Sequence, residues 1–185
     1  SVGPKKRVVE AIRTALAMGA DDGIVVDAPE DLDTYSVAKS IAKTIETEGN
    51  ADLIFTGKLA IDDNASSVSQ QVAEFLGLQH ATVVSKFEET SGQYVVEREV
   101  EGGTKEIFQL NGPSVIAANK GLNQPRYASL PGIMKAKKKP LKEIEFSSLG
   151  ITEADKKLEF FDYNLPPEKP PVKLIDGDAA AQAQT

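Results

Sequence analysis

Residues 1–27, SVGPKKRVVEAIRTALAMGADDGIVVD, decide the fold class, because they combine the end of one strand, a helix and a second strand. Apolar residues recur at helical spacing from Val8 onward and Gly19 ends the pattern, which predicts an amphipathic helix over residues 4–18. The apolar run GIVVD at 23–27 follows as a short buried strand. A strand–helix–strand unit of this kind is typical of a parallel sheet.

The same alternation continues along the chain. Apolar residues spaced by four predict a second helix over residues 34–48, and ADLIFTG at 51–57 is the next strand. A third helix contains Val68, Val72 and Phe75 on one face. The pattern predicts an α/β fold of the Rossmann-like type, a doubly wound and mostly parallel sheet with helices on both faces.

Two segments depart from this alternation. From residue 81 onward three strand-like segments are separated by TSGQ and GG, which predicts an antiparallel hairpin excursion before a last buried strand at 113–119. The proline-rich composition near the end predicts an extended C-terminal arm over residues 164–185, after an α/β nucleotide-binding domain over residues 1–163. We also expect the chain to be a fragment whose first strand is incomplete.

Composition excludes several classes of function. The 21 Lys and Arg residues against 28 Asp and Glu residues give a net charge of −7, which argues against nonspecific binding to nucleic acid or anionic membrane. The chain has no cysteine, which excludes disulfides, thiolate metal clusters and a cysteine nucleophile. No apolar run approaches the roughly 20 residues of a membrane-spanning helix.

A candidate phosphate site lies in FTGKLAIDDNASSVSQQ, residues 55–71, where a parallel strand ends and a helix begins. Ligands of doubly wound folds bind at this end of the strands, and a helix N-terminus offers free N–H groups to an anion. The residues expected to contact such a ligand are Gly57, Asp62, Asp63, Ser66 and Ser67. An ordinary loop in which Asp63 or Asn64 caps the helix explains the same residues, and the pattern alone favours this interpretation over nucleotide binding.

A candidate docking segment is RYASLPGIMKAKKKP, residues 126–140, in which Ser129 is a predicted N-cap and Pro131 suits the first helical turn. Leu130 and Met134 are apolar residues beside the only concentration of positive charge in the chain. That positive charge belongs to Arg126, Lys135, Lys137, Lys138, Lys139 and Lys142. An apolar anchor ringed by charge is typical of a protein docking site, although a solvated face remains open. Nucleic-acid binding is disfavoured because only Tyr127 is available for stacking.

The sequence shows no pattern of catalytic residues. His80 is the only histidine, and it follows a helix-to-strand turn without a nucleophile or a paired carboxylate in its motif. We find neither an acid–base pair in a motif context nor a metal-ligand cluster in the sequence. The residues alone favour a binding module over an enzyme.

Four motifs carry a resemblance to a known family. RTALAMGAD, GKLAIDD, VEREVEGG and above all LNQPRYASLPGIMKAKKKP resemble the β subunit of the electron-transferring flavoproteins, in register from Ser1 to about Leu149. The resemblance implies a heterodimer with a larger α subunit that holds most of the FAD, and an AMP in the β chain. It also implies a carrier without catalytic residues of its own, which takes electrons from acyl-CoA or related dehydrogenases and passes them to a quinone oxidoreductase. In this family the segment at 123–140 is the recognition loop for the dehydrogenase.

The resemblance also assigns residues to each role. The implied AMP contacts are Val2, Gly57, Ala60, Asp63, Ser66, Ser67 and Val68. The implied docking contacts are Arg126, Tyr127, Leu130, Pro131, Ile133, Met134 and Lys135, with Leu130 seated in an apolar pocket of the partner. This chain has Ser-Ser-Val-Ser-Gln at residues 66–70, where the family usually has Asn-Gln-Thr-Gly-Gln, so Val68 lacks a threonine hydroxyl and Ser67 or Ser69 is the expected replacement.

Two alternatives stay open beside the carrier function. A related branch of the family holds a second FAD where this chain is expected to hold AMP, although the pair Asp62-Asp63 is more similar to the AMP branch. The chain is otherwise a non-redox, AMP-binding structural module that scaffolds the α subunit. The resemblance implies a cytoplasmic location in bacteria and the mitochondrial matrix in eukaryotes.

Overall fold

Eight strands and five helices lie within residues 1–49 and 51–183, the part of the chain that the computed structural model describes. The strands are β1 (Val2–Gly3), β2 (Gly23–Asp27), β3 (Leu53–Gly57), β4 (Gln79–Thr90), β5 (Gln93–Glu99), β6 (Lys105–Asn111), β7 (Ser114–Ala118) and β8 (Leu141–Glu145). The helices are α1 (Lys5–Met18), α2 (Thr34–Glu48), α3 (Val68–Leu76), α4 (Leu130–Ala136) and α5 (Ala179–Ala183). Short 3-10 turns occupy Glu101–Gly103, Phe146–Leu149 and Glu153–Asp155.

The strands form two hydrogen-bonded sheets. The first has the order β1-β2-β8 and is entirely parallel. The second has the order β3-β7-β4-β5-β6, in which β3, β7 and β4 are parallel and the β4-β5-β6 meander is antiparallel. The predicted α/β fold class and the predicted hairpin excursion are confirmed.

The core follows from apolar strands that helices cover. The consecutive residues Val25 and Val26 of β2 are both buried, as are Val115 and Ile116 of β7, which is expected for parallel strands with covered faces. Helix α1 packs on β2 and α4, whereas α2 and α3 pack on each other. This packing fixes the carboxyl ends of β2 and β3 and the helices that follow them.

Helix boundaries agree closely with local sequence. Helix α1 ends at Gly19, which has a φ of 130° that glycine tolerates better than any other residue. Helix α2 begins after Asp33, whose carboxylate accepts a hydrogen bond from the Ser36 N–H at 2.9 Å. The suggestion that Asp63 or Asn64 caps α3 is wrong, because α3 begins at Val68 after the N-cap residue Ser67.

The N-cap carboxylate of α2 also fixes the chain that follows the domain's last 3-10 turn. The second Asp33 oxygen accepts hydrogen bonds from the N–H groups of Lys157 (2.7 Å) and Leu158 (3.1 Å). Burial raises the pKa of Asp33, but the hydrogen bonds from Ser36 and from these N–H groups outweigh it, so the pKa lies below its usual value. Lys39 and Asp155 add an ion pair alongside.

The chain from residue 156 to 178 forms neither helix nor strand. Helix α5 then follows Asp178 within the arm that was predicted to be extended, and residues 184 and 185 of the predicted arm lie outside the described residues. The domain boundary at residue 163 stays a prediction. Strand β8 was not predicted, and it pairs with β2 in parallel over all five of its residues.

Candidate functional site

The loop from Lys58 to Ser67 joins the carboxyl end of β3 to the start of α3. Its backbone is held by a hydrogen bond from the Asn64 N–H to the Ala60 carbonyl at 2.9 Å and by one from the Ala65 N–H to the Asp63 carboxylate at 3.0 Å. Asn64 and Ser66 adopt positive φ angles of 52° and 46°, which are uncommon for residues other than glycine. The loop therefore has a defined and locally strained geometry, as functional loops often do.

A cavity of about 120 Å³ lies between this loop and the N-terminus of α3. It is lined by Thr34, Gly57, Lys58, Leu59, Ala60, Asp63, Ala65, Ser66, Ser67, Val68 and Ser69. Six of the seven residues that the resemblance assigned to AMP are in this lining, whereas Val2 is not and belongs to the other sheet. Sequence reasoning missed Thr34, although its position at the start of α2, after Asp33, was a signal that it shares this edge of the fold.

The three serines around the cavity have different hydrogen bonds. The Ser66 hydroxyl donates to the Lys58 carbonyl at 3.0 Å. The Ser69 hydroxyl is 2.7 Å from the Thr56 hydroxyl and donates to the Gly57 carbonyl at 3.2 Å. The Ser67 hydroxyl is buried and has no hydrogen-bond partner among the described residues. Of the two serines expected to replace the threonine, Ser67 therefore has a hydroxyl without a partner among the described residues, and Ser69 is already engaged.

The charges around the cavity suit an anion at one end. The first turn of α3 contains no acidic residue, and its free N–H groups lie beside the cavity, although the Asp63 carboxylate lines the same space. Lys58 lines the same space and adds a positive charge. The volume of about 120 Å³ fits a phosphate group better than a whole nucleotide. A buried, unpartnered hydroxyl beside a helix N-terminus is the donor set that a phosphate requires.

A larger cleft of about 600 Å³ adjoins this cavity and shares Asp63 with it. Its other lining residues are Glu30, Asp31, Leu32, Lys156, Glu159, Phe160 and Tyr163. Asp63 thus lines both the cavity of phosphate size and the wider cleft. From this position its carboxylate is able to accept hydrogen bonds from the hydroxyl groups of a ligand.

The second candidate site is the face of α4. The Ser129 hydroxyl caps this helix by accepting a hydrogen bond from the Gly132 N–H at 3.1 Å, which confirms the predicted cap. Leu130 and Met134 are one helical turn apart, and 80% and 72% of their surfaces are exposed. Tyr127 beside them is also exposed, so α4 presents an apolar patch to solvent.

Ile133 lies apart from this patch, on the side of α4 that faces α1. It lines a cavity of about 550 Å³ between the two helices, together with Arg13, Thr14, Ala17, Ala128, Ala136 and Lys137. All seven residues assigned to docking are exposed, but Ile133, at 44%, is less exposed than Leu130, Met134 and Tyr127 and lies toward the helix that supports α4.

The positive charges near α4 fall into two groups. Lys139 donates to the carbonyls of Leu16 in α1 and of Ala20 just after it, Lys142 pairs with Glu48, and the Arg126 guanidinium lies over Gly19. Lys135, Lys137 and Lys138 are exposed and form no ion pair with any described residue. Only these three lysines leave their charge free to attract an acidic partner surface.

Among residues 1–49 and 51–183, no helix has the length and apolar character that crossing a bilayer requires. The same residues contain no cluster of three or more side chains of the types that hold metal ions.

Comparisons with known proteins agree on one family. The model of the electron transfer flavoprotein domain matches residues 1–149. The chain is 40% identical over 178 residues to the electron transfer flavoprotein subunit beta of Bacillus subtilis, covering 94% of this chain and 68% of that protein. It is 45% identical over 151 residues to the protein of the same name from Bradyrhizobium diazoefficiens, covering 82% and 59%. It is 41% identical over 171 residues to the mitochondrial one from Arabidopsis thaliana, covering 91% and 66%. The chain thus spans about 59% to 68% of the length of these relatives.

Proposed function

Because the chain belongs to the electron transfer flavoprotein family and matches its β subunits, we propose that it is one subunit of a heterodimeric electron carrier. Membership among β subunits implies an α subunit as its partner. The carrier takes electrons from acyl-CoA or related dehydrogenases and delivers them to a quinone oxidoreductase. It has no catalytic residues of its own. It works in the cytoplasm of a bacterium or in the mitochondrial matrix of a eukaryote.

The observation that carries this proposal is the exposed apolar face of α4. Leu130 is 80% exposed on a capped helix, and the three lysines at the C-terminal end of that helix form no ion pair with a described residue. A partner that buries Leu130 and Met134 and offers carboxylates to the lysines matches this surface in both shape and charge. Dehydrogenase docking through residues 123–140 is the role that this face supports.

The nucleotide cavity supports an AMP in this chain, with its phosphate at the N-terminus of α3. Gly57, Ala60 and Val68 border the phosphate space, Ser67 donates a hydroxyl hydrogen bond, and Asp63 accepts from the ribose. FAD, which supplies the one- and two-electron chemistry when bound, is held mainly by the α subunit. The contribution of this chain is to bind α, to hold AMP and to present the docking face.

Leu130→Ala in the assembled flavoprotein tests the docking role. We expect the KM of an acyl-CoA dehydrogenase for the flavoprotein to rise about tenfold or more, because an apolar anchor of about 2 kcal/mol is lost. Ile107→Ala is the matched control, since Ile107 is 68% exposed on β6 and lies outside the docking segment. A Leu130→Ala protein that is folded and accepts electrons with an unchanged KM would refute the docking role.

A second candidate function is a non-redox module in which AMP stabilises the fold and the chain scaffolds α. It is favoured by the Ser67 hydroxyl, which has no partner among the described residues. In that case Leu130→Ala has no effect on electron transfer, while removal of AMP lowers the melting temperature of the heterodimer. The effect of Leu130→Ala on electron transfer separates the two functions, because both of them include a bound AMP.

A further inference from the structure

Two cations link α4 to α1: Arg13 of α1 donates at the C-terminal end of α4, and Lys139, which follows α4, donates at the C-terminal end of α1. The Lys139 ammonium donates to the Leu16 carbonyl at 3.1 Å and to the Ala20 carbonyl. The Arg13 guanidinium donates to the carbonyls of Ala136 at 2.5 Å and Lys139 at 3.2 Å. Helix ends leave such carbonyls without an intrahelical partner, and positive charge is favourable there because of the helix dipole.

Helix α4 needs this support. It has only seven residues and includes Pro131 and Gly132, whereas isolated helices shorter than about 12 residues are marginal even with favourable sequences. Its outer face is exposed at Leu130 and Met134, and Ala136 is its only residue classed as buried. Core burial therefore contributes little to the orientation of α4, and the contacts with α1 determine it.

We propose that Arg13 and Lys139 are positioning residues, which hold α4 in the orientation that presents Leu130 and Met134 to the redox partner. This inference rests on the proposed docking function. The two cationic groups act through α4, because their hydrogen bonds are made to carbonyls of this chain. Ordering α4 before the encounter removes the entropic cost of ordering it on binding, and so raises affinity.

A comparison of variants at Lys138 and Lys139 distinguishes the positioning of α4 from the attraction of the partner by positive charge. Lys138 is exposed with no ion pair to a described residue, whereas its neighbour Lys139 is half-buried and bonded to α1. Substitution of either lysine by methionine removes one positive charge from the same surface. If Lys139 only attracts the partner by its charge, the two methionine variants raise the KM for the flavoprotein equally. Both increases in KM then disappear at high ionic strength.

The test uses the assembled flavoprotein and an acyl-CoA dehydrogenase reduced by its own substrate. We expect Lys139→Met to raise the KM for the flavoprotein about tenfold with kcat unchanged, and this effect to persist at high salt. We expect Lys138→Met to raise the KM by less than about threefold, an effect lost at high salt. Lys139→Arg retains donors for the same carbonyls and restores the KM. Equal effects of the two methionine variants at every salt concentration would overturn the proposal.

Hydrogen exchange shows whether α4 itself has loosened. In Lys139→Met, the Ile133 and Lys138 amides, which close the turns of α4, are expected to exchange at least about tenfold faster, while those of β4 and β5 keep their rates. In Lys138→Met the α4 amides keep their rates. Uniformly faster exchange across the chain in Lys139→Met would overturn the proposal, because it would show a general loss of stability.

A double-mutant cycle with Leu130→Ala completes the test. Leu130 is not among the groups that Lys139 contacts, so independent effects would multiply. Positioning predicts that the KM of the double variant rises clearly less than the product of the two single effects, because a loosened α4 no longer presents Leu130. A KM of the double variant equal to the product of the two single effects would overturn the positioning role of Lys139, but it would not contradict docking through Leu130. A silent Leu130→Ala would instead overturn the docking function itself.

Discussion

Replacing Ser67 by alanine is expected to weaken AMP binding more than replacing either neighbouring serine. The Ser67 hydroxyl is buried beside the N-terminus of α3 and has no partner among the described residues, so a bound phosphate would satisfy it. A hydrogen bond to a charged group contributes about 1.5–3 kcal/mol, which corresponds to a loss of roughly 10- to 150-fold in affinity. Ser66 already donates its hydroxyl to the Lys58 carbonyl, so Ser66→Ala is expected to change the affinity by less than about threefold.

Isothermal titration of AMP into nucleotide-depleted heterodimer measures these affinities directly. Ser69→Ala is the second control, because it removes the hydrogen bonds to Thr56 and Gly57 and is expected to lower thermal stability more than affinity. Val68→Thr restores the hydroxyl that the family usually has and is expected to tighten binding. The assignment of Ser67 to the phosphate would be refuted by a folded Ser67→Ala protein that binds AMP as tightly as the parent.

Three further predictions concern the fold. Asp33→Asn is expected to lower the free energy of unfolding at pH 7 by about 1–2 kcal/mol in urea titrations, because the amide is a poorer acceptor for the Lys157 and Leu158 N–H groups. The lowered pKa of Asp33 means that its contribution is present above the unfolded value of about 3.9 and is lost as the pH falls through the folded pKa. The difference in the free energy of unfolding between the parent protein and Asp33→Asn should therefore shrink as the pH falls below about 3.9, and a difference that stays constant from pH 7 into this acidic range would contradict the linkage. Leu16→Ala, at a site that is 1% exposed, is expected to lower the free energy of unfolding by about 2–5 kcal/mol, whereas a change below 1 kcal/mol would indicate a loosely packed α1.

Local patterns in the sequence predicted the helices and the strands with long apolar runs. Helix α2 occupies the predicted residues 34–48, since its apolar spacing, its Asp33 cap and its terminal Gly49 all agree. Strand β8 was missed because LKEIE at 141–145 follows a lysine-rich segment and has only two apolar residues. Its place in the sheet is determined by pairing with β2, which lies more than a hundred residues earlier in the chain. The local sequence pattern does not predict that pairing.

The candidate sites show the same limit. The sequence predicted a candidate phosphate loop at residues 57–68 but not which serine hydroxyl lacks a partner, because the partner of Ser69 is Thr56 on the preceding strand. It identified the lysine run but not that Lys139 bonds to α1, because neighbouring lysines of one run are equivalent until the chain is folded. Residue types thus predicted which kinds of group each candidate site offers. Tertiary contacts determine which serine hydroxyls and lysine ammonium groups are left without a partner in this chain.

Native mass spectrometry of the chain with its α subunit, followed by release of bound small molecules under denaturing conditions, tests the central claim most directly. We predict a one-to-one complex of this 19.8 kDa chain with a larger subunit, containing one FAD and one AMP. Two FAD molecules and no AMP would contradict the assignment of the α3 cavity to AMP. A 19.8 kDa chain that binds neither α nor a nucleotide would contradict the proposal that this chain is a carrier subunit.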